Sequence, residues 1–481
     1  MPLFSAGSNS RGQLSHQNLL DAHSFQLCHF ANPATNSNLI VHDLALGANH
    51  TLALCAYAST CTSEEKEEVG MELWGCGSNQ RGQLGPGENG HRNQPELTTS
   101  FVRISLEGLL ANVEEEERQR HGIRPQPPRD DEQDAICEII SIACAWETSF
   151  VHIRRRSTTD ENVASSDLIL SFGANDWNER GIPSRRQFES APVNIISFDN
   201  ESTSSLCRIT QLVSGPRHVL AIVKDSSTKS SQSRIFGWGA SRHGQLGRGG
   251  AIGSVGALTT KLPSTFERPC EIQLSDPSDD RPIGSTRRPV GLAMGRDHSI
   301  ILFEEESPQA SQSVVLFGSN KQKQLHLSDV PSVGENLTWV YPLDKEVTKV
   351  CATWTSSFFL FKDGTVQSFG SNTKGQLGRP DPSLPDKEAT STFVKFPTPN
   401  VPPQKVDITS LVTGSEHILA IDRHTGDVYG WGWNEHGNLG LLHTEDVGLP
   451  EVVWSAQDRG EVGKVWCGNA TSFIFVAEDH N

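Results

Sequence analysis

One segment recurs seven times along this chain, and a second segment alternates with it. The first is called the GQL segment here, after its Gly-Gln-Leu end. It reads Leu3-Phe4-Ser5-Ala6-Gly7-Ser8-Asn9-Ser10-Arg11-Gly12-Gln13-Leu14, then Leu73-Trp74-Gly75-Cys76-Gly77-Ser78-Asn79-Gln80-Arg81-Gly82-Gln83-Leu84. It returns with its key glycine at Gly173, Gly239, Gly318, Gly370 and Gly432, successive copies lying 52 to 96 residues apart. The second segment is clearest in Gly47-Ala48-Asn49-His50-Thr51-Leu52, Gly215-Pro216-Arg217-His218-Val219-Leu220 and Gly414-Ser415-Glu416-His417-Ile418-Leu419. Further copies start near Ala145, Gly295, Thr353 and Gly468. Two alternating units at a period of tens of residues mark a repeat architecture.

The unit is built for β-structure. An apolar strand follows the His, a turn reverses the chain, and a second strand runs into the next GQL segment. Lys362-Asp363-Gly364 and Thr425-Gly426-Asp427 are such turns, since Asp-Gly and Gly-Asp supply the positive φ that a tight hairpin needs. Gly-x-Gly at the end of the second strand permits close backbone packing, expected near a narrow axis. One blade cannot bury both of its faces, so radial stacking must close the core. The expected fold is an all-β, seven-bladed β-propeller. With 35% hydrophobic residues, 42 Gly and only 3 Met, the composition suits short strands and Gly-rich turns better than long amphipathic helices.

Residues 1–481 are expected to form one propeller with polar insertions at about 107–134, 248–289 and 380–403. The first carries Glu114-Glu115-Glu116-Glu117 and is expected to form a helical turn or two before an irregular loop. Shorter polar insertions lie at 64–68 and 154–166, and all are read as solvated loops. The formal net charge is -17, which repels a nucleic-acid backbone. No stretch approaches the length of an apolar membrane span. The first residues, Met1-Pro2-Leu3-Phe4-Ser5, have neither a basic region nor an apolar run, so no signal peptide is expected. The 10 Cys show no C-x-x-C pair, which argues against a zinc site or a disulfide framework and for a reducing compartment. A cytoplasmic and nuclear location, and a monomer or a heterodimer, are expected.

His50, His218, His298 and His417 look like candidate bases or ligands. They occupy one repeated position, however, and are read as ring nitrogens that each hold a neighbouring turn. No nucleophile elbow, phosphate loop or His-Glu-x-x-His is present. No catalytic residue, metal ligand or cofactor is expected, and the chain is not read as an enzyme.

The informative residues are those where the repeat departs from itself. In Cys144-Ala145-Trp146-Glu147-Thr148 and Ala352-Thr353-Trp354-Thr355-Ser356 the Gly and the His are both lost, and a Trp follows the former Gly position. Ala48, Pro216, Arg296, Ser415 or Asn469 stands there in the other copies. Two readings stay open: the indole fills the gap left by the His, or it is an interface anchor of the kind enriched among binding hot spots. The last GQL segment places Trp433, Glu435 and His436 on one loop, where other copies carry Ser8 or Ser78 and Arg11 or Arg81. Trp431 matches Trp238 and is read as core. The expected binding site centres on Trp354 and His436, from neighbouring blades, with Trp433 and Glu435 beside them and Trp146, from the second blade, set apart.

The motif Gly-x-Asn-x-x-Gly-Gln-Leu-Gly, alternating with Gly-x-x-His-Thr, resembles the regulator of chromosome condensation repeat. That resemblance covers nearly the whole chain. It implies a seven-bladed propeller closed by the N-terminal strand, Leu3 to Ala6 completing the blade begun by Ser472 to Val476. Cys-x-Trp-x-Thr, Trp-Thr-Ser, Gly-Ser-Glu-His and Gly-Trp-Gly-x-x-Glu-His-Gly-Asn together resemble the fungal alpha-tubulin suppressor, or killer-toxin-insensitivity, branch. This second resemblance implies a non-catalytic scaffold for a small zinc-ribbon protein serving diphthamide synthesis and Elongator-dependent tRNA wobble-uridine modification. The same family also implies two alternatives: a guanine-nucleotide exchange factor for a Ran-like small GTPase, and a ubiquitin-pathway or trafficking adaptor.

Overall fold

The computed structural model describes residues 2–31, 39–57, 70–86, 95–121, 123, 136–156, 166–183, 192–198, 207–225, 233–249, 263–274, 287–305, 311–326, 337–341, 343–380, 392–397 and 406–477. Their strands form seven antiparallel sheets in chain order. Blade I is Leu39–Leu46, His50–Tyr57, Glu72–Ser78 and Leu97–Ile104. Blade II is Ile136–Cys144, Thr148–Arg156, Ser166–Gly173 and Val193–Ser197. Blade III is Cys207–Ser214, His218–Asp225, Ser233–Ala240 and Thr265–Gln273, with the short strand Arg248–Gly249 at its outer edge. Blade IV is Arg287–Met294, His298–Glu305, Gln312–Gly318 and Leu337–Tyr341. Blade V has Val347–Ala352, Ser356–Phe361 and Val366–Gly370, and blade VI has Ile408–Thr413, His417–Asp422, Val428–Gly432 and Val447–Trp454. The first strands of successive blades touch one another, so they line the axis.

Blade VII is assembled from both ends of the described chain. Val462–Cys467 and Thr471–Val476 are followed in the sheet by Leu3–Gly7 and Ala22–Leu27. Leu3 pairs with Phe475, Ser5 with Phe473 and Gly7 with Thr471. This is the expected closure. It removes the open edge that an unclosed ring would present.

The core lies between blades. Leu52, Leu54, Leu73 and Leu84 of blade I pack with Ile139, Ile142 and Val151 of blade II. The Leu that ends the GQL segment joins this packing in blade after blade: Leu14, Leu84, Leu246, Leu325 and Leu439 are fully buried. Burying a Leu side chain contributes ~2 kcal/mol, which explains why the segment ends in Leu rather than in a polar turn residue.

Three expectations change. The insertion at 107–134 is not wholly a solvated loop. Helix α1, Leu106–Ala111, is capped by the Ser105 hydroxyl, and Leu109, Leu110, Val113 and Ile123 join the blade I and II core. Helix α2, Glu115–Arg120, is the expected helical turn and buries none of its residues. The insertion at 248–289 holds the fourth strand of blade III, Thr265–Gln273, which a Pro-containing and charged stretch concealed. Within 380–403, Phe393 forms an isolated bridge with Gln367 and stands in for a fourth strand of blade V. The 64–68 segment and most of 154–166 lie outside the described residues.

The two glycines of Gly-x-Gly serve purposes other than approach to the axis. Gly77 has φ 104°, and a Cβ there would strike the Asn49 carbonyl and His50. Gly75 faces Ile104, Leu84 and Leu52 side chains. The close approach is to the Gly-x-x-His turn of the same blade.

Candidate functional site

The GQL loops and the Gly-x-x-His turns meet on one face, because each third strand pairs alongside its own second strand and ends beside that turn: His50 opposite Gly77, His218 opposite Gly239, His417 opposite Gly432. In most of the loops an Asn acts as a staple by accepting from the Leu N–H, at 3.0 Å for Asn9, 2.8 Å for Asn79 and 2.8 Å for Asn434. The Gln accepts from the N–H two residues before it, as Gln83 does from Arg81 at 2.8 Å and Gln376 from Lys374 at 2.8 Å. These side chains replace missing backbone partners in a loop that has no ladder of its own.

The four repeated His join blades. His50 Nε2 lies 2.9 Å from Ser149 Oγ, His218 Nε2 3.0 Å from Ser299, His298 Nε2 3.1 Å from Ser357, and His417 Nε2 3.1 Å from Ser472. Ser149 donates its one hydroxyl hydrogen to Gln83 O at 2.6 Å, Ser299 to Gln245 O at 2.7 Å and Ser357 to Gln324 O at 2.8 Å. Each of these hydroxyls must therefore accept from the imidazole, which places a ring hydrogen on Nε2. Burial pushes His50 and His218 down to about 3, and His298 and His417 down to about 4. A group that titrates this low is no base or acid near neutrality.

The His of the motif requires the Gly. A Cβ on Gly47, Gly295 or Gly414 would fall inside the imidazole of His50, His298 or His417. In blades II and V both the His and the Gly are absent, whereas blade VII keeps Gly468 with Thr471 at the His position. Thr148 instead donates to Ala174 O at 2.8 Å and Ser356 to Ser371 O at 3.0 Å, within their own blades. Ala145 and Thr353 then occupy the Gly position.

Those two turns bring Trp146 and Trp354 together. Their ring centroids are 5.9 Å apart with planes at 41°, although blades II and V are three steps apart in the ring. Contact at that separation requires both indoles to reach over the axis. The turn backbones form a belt beneath them: Ala48 N donates to Trp146 O at 2.8 Å, Trp146 N to Pro216 O at 3.0 Å, Arg296 N to Trp354 O at 3.1 Å, and Trp354 N to Ser415 O at 2.8 Å. Trp146 remains 41% exposed, and Trp354 is half-buried.

Trp433, Glu435 and His436 form a second cluster. Trp433 Nε1 donates to Glu435 Oε2 at 3.1 Å, and its ring stands edge-on to His436 at 5.5 Å. His436 Nδ1 lies 2.8 Å from Asp21 Oδ2, so the cluster bridges blades VI and VII. Among the described contacts none joins Trp354 to His436. Between them lies Glu416, whose backbone carbonyl accepts from Trp433 N at 2.9 Å. Its carboxylate accepts from Thr353 at 3.0 Å, Thr355 at 2.7 Å and Gln376 at 3.0 Å. Burial pushes the Glu416 carboxyl up, and these hydrogen bonds oppose the shift.

A family model for the RCC1-like domain matches residues 2–474. The chain belongs to the RCC1-like domain family. An RCC1 repeat-containing protein of Schizosaccharomyces pombe is 22% identical over 99% of both chains. The secretion-regulating guanine nucleotide exchange factor of Mus musculus is 24% identical over 66% of this chain, a match spanning 60% of that protein's own length. Among solved structures, human WBSCR16 superposes with a TM-score of 0.65 at 16% identity, covering 99% of this chain and 100% of the other. Prp20p of Saccharomyces cerevisiae does so with a TM-score of 0.62 at 20% identity, covering 99% and 92%. At these identities the structures establish the shared fold.

In this RCC1-like ring, sequence reasoning missed Trp177. It stands in the third GQL segment at the position of Arg81 and His436, is 40% exposed, and carries the Arg217 guanidinium 4.5 Å from its ring. The signal was present: Trp177 follows Asn175, the stapling Asn, at the same spacing as Arg81 follows Asn79. Glu179 in place of the usual Gln obscured the alignment. A polar pocket of about 170 Å³ between blades III, IV and V was also missed; His243, Arg296, Lys321, Gln322 and Trp354 are among its walls.

Proposed function

We propose that this chain is a non-catalytic protein-binding scaffold whose contact surface is the face of the GQL loops, centred on the Trp146–Trp354 pair. The observation that carries the reading is that pair itself. Two large indoles stand partly exposed over the axis at a turn position that elsewhere holds Ala48, Pro216 or Ser415. Aromatic anchors with polar surroundings are the composition of an interface centre. The second cluster, Trp433, Glu435 and His436, extends the surface toward the rim. The four repeated His are committed to holding blades together.

The partner in this reading is a small zinc-ribbon protein of the diphthamide and Elongator pathways, in cytosol and nucleus. It is supported by the motifs around Trp146, Trp354 and Trp431 to Asn438. Trp146→Ala/Trp354→Ala is expected to weaken binding of the purified zinc-ribbon protein by about thirtyfold or more, the loss of one hot spot of ~2 kcal/mol, with the melting temperature unchanged. Trp238→Ala serves as the contrast: that ring is fully buried and donates to Glu179 O at 2.7 Å, so its loss costs ~3–5 kcal/mol of stability. Wild-type affinity in the double variant, measured by calorimetry, defeats the proposed surface.

A second reading is favoured by the relatives. One is named a guanine nucleotide exchange factor, and Prp20p is described by its binding to Gsp1p and histones. Acceleration of nucleotide release from a Ran-like GTPase by the purified chain is the result that moves this reading ahead.

A further inference from the structure

On the face of the GQL loops, cations of several blades are neutralised within the ring. Arg81 meets Asp176 at 2.8 Å and Glu147 at 3.6 Å, and Lys374 meets Asp446 at 3.3 Å. Blades III and IV depart from this. Their Gly-x-x-His turns and GQL loops carry Arg217, Arg242, Arg296, Lys321 and Lys323. Their one carboxylate is Asp297, which takes Arg296 at 3.0 Å with His243 at 4.0 Å. Among the described residues no carboxylate lies within ion-pair distance of Arg217, Arg242, Lys321 or Lys323, and the last three are exposed. In a chain of formal net charge -17, such a concentration of unneutralised cations is a local inversion of the protein's field. The pocket lies inside this sector, with Arg296 and Lys321 on its walls and Trp354 at its edge.

We propose that the sector formed by the turns and GQL loops of blades III and IV docks an acidic peptide segment of the partner protein. Its carboxylates lie against Arg242, Lys321 and Lys323, and an apolar side chain rests on Trp354. The proposal rests on the scaffold reading and adds the partner's chemistry to it. Complementary charge steers such an encounter and fixes its register. The occupant is short because the sector is bounded by carboxylates, Glu147 and Asp176 on one side and Glu416 and Asp446 on the other. The interaction between exposed charges decays over ~8 Å at physiological salt. A long polyanion would be carried onto those carboxylates, whereas a brief acidic segment ends before reaching them.

Fluorescence anisotropy on the full chain tests this, with three probes: a labelled glutamate-rich peptide containing one Trp, a short single-stranded DNA, and phosphatidylserine vesicles. Arg242→Glu/Lys321→Glu/Lys323→Glu is expected to weaken the peptide by about tenfold or more at low salt. Arg11→Glu, at an exposed cation of the first GQL loop in blade VII, leaves it unchanged. All four side chains are exposed, so the melting temperature should not move. Equal peptide binding by the triple variant overturns the proposal. So does an equal loss in Arg11→Glu, or tighter binding of the DNA or the vesicles through the same three residues. The zinc-ribbon protein separates the two readings. If it fails to bind wild type while the peptide keeps its dependence on the three cations, the identity of the partner falls and the acidic site stands. If it binds wild type and the triple variant equally, the acidic site falls and the scaffold stands.

Discussion

Lowering the pH from about 7.5 to about 5.5 should strip this propeller of about 5 kcal/mol of stability through four side chains alone. His50, His218, His298 and His417 are buried and neutral, held at about 3 to 4, against ~6.5 in an unfolded chain. Their folded values are depressed, so the stability they contribute is complete above the unfolded value. It is lost as pH falls from about 6.5 toward 4, because the unfolded state takes up protons that the folded state refuses. At pH 5.5 each unfolded ring is about nine-tenths protonated while each folded ring is neutral, a cost of ~1.3 kcal/mol per ring. The figure is insensitive to whether a ring sits at 3 or at 4, since both lie well below 5.5. His16, lowered to about 4 by burial, adds in the same direction. Glu179 and Glu416, whose carboxyls burial pushes up, act in the opposite one. Urea unfolding at the two pH values, read as a midpoint shift at constant slope, measures the sum. His ring carbon shifts by NMR show which rings stay neutral. Equal stability at both values, or four rings that titrate near 6.5 in the folded state, refutes the account.

Gly47→Ala should destabilise by ~1–3 kcal/mol through overlap with the His50 ring. Adding His50→Ser should recover part of that loss, so additive thermal shifts in the two single variants and the double would count against the coupling. Asp167 is fully buried in blade II, bonded by Arg154 at 2.8 Å and His152 at 3.1 Å, and accepts from Ile209 N of blade III at 2.9 Å. Asp167→Asn leaves Arg154 and Arg208 without their counter-charge and is expected to cost ~3–5 kcal/mol in chemical denaturation. Removing residues 2–7 exposes the edge of Thr471–Val476, and light scattering should then report aggregation; an unchanged monomer with the wild-type melting temperature contradicts the closure.

The fold was legible because its determinants are local and repeated. Positive-φ glycines, the stapling Asn and the Leu that ends six of the seven GQL segments leave a residue type at a fixed spacing. What stayed hidden depended on burial across blades. Leu109 and Leu110 sit beside a run of four Glu, so composition classes them with a solvated loop, yet they fill a gap between blades I and II. Thr265–Gln273 lacks alternation, because an outermost strand has little core to face. The site was half legible. Trp433, Glu435 and His436 share one loop, which is why sequence alone groups them, and they form one cluster. Sequence order also groups Trp354 with His436, because their blades are neighbours. Counting along the ring describes distances at the rim, and these turns are at the hub.

That distinction explains why two departures of the repeat meet. In blades II and V the Gly is lost with the His, which is possible because the imidazole no longer occupies the space of the Gly Cβ. Their loss moves the hydroxyl of Thr148 or Ser356 onto its own GQL loop, and the turn then holds the next blade through its backbone and, in blade V, through Thr353 and Thr355. The backbone bonds leave the side chain at the position after the former Gly free to be large. In a ring of seven, three steps is the largest separation that two blades can have. Turns in blades II and V therefore face each other across the axis, and bulky groups on them must meet over its mouth. Had the same substitutions fallen in adjacent blades, the two indoles would have pointed inward side by side and left the opposite wall bare. A molecule that docks on the hub of this face meets Trp146 and Trp354 as one surface, with the unneutralised cations of blades III and IV filling the arc between them.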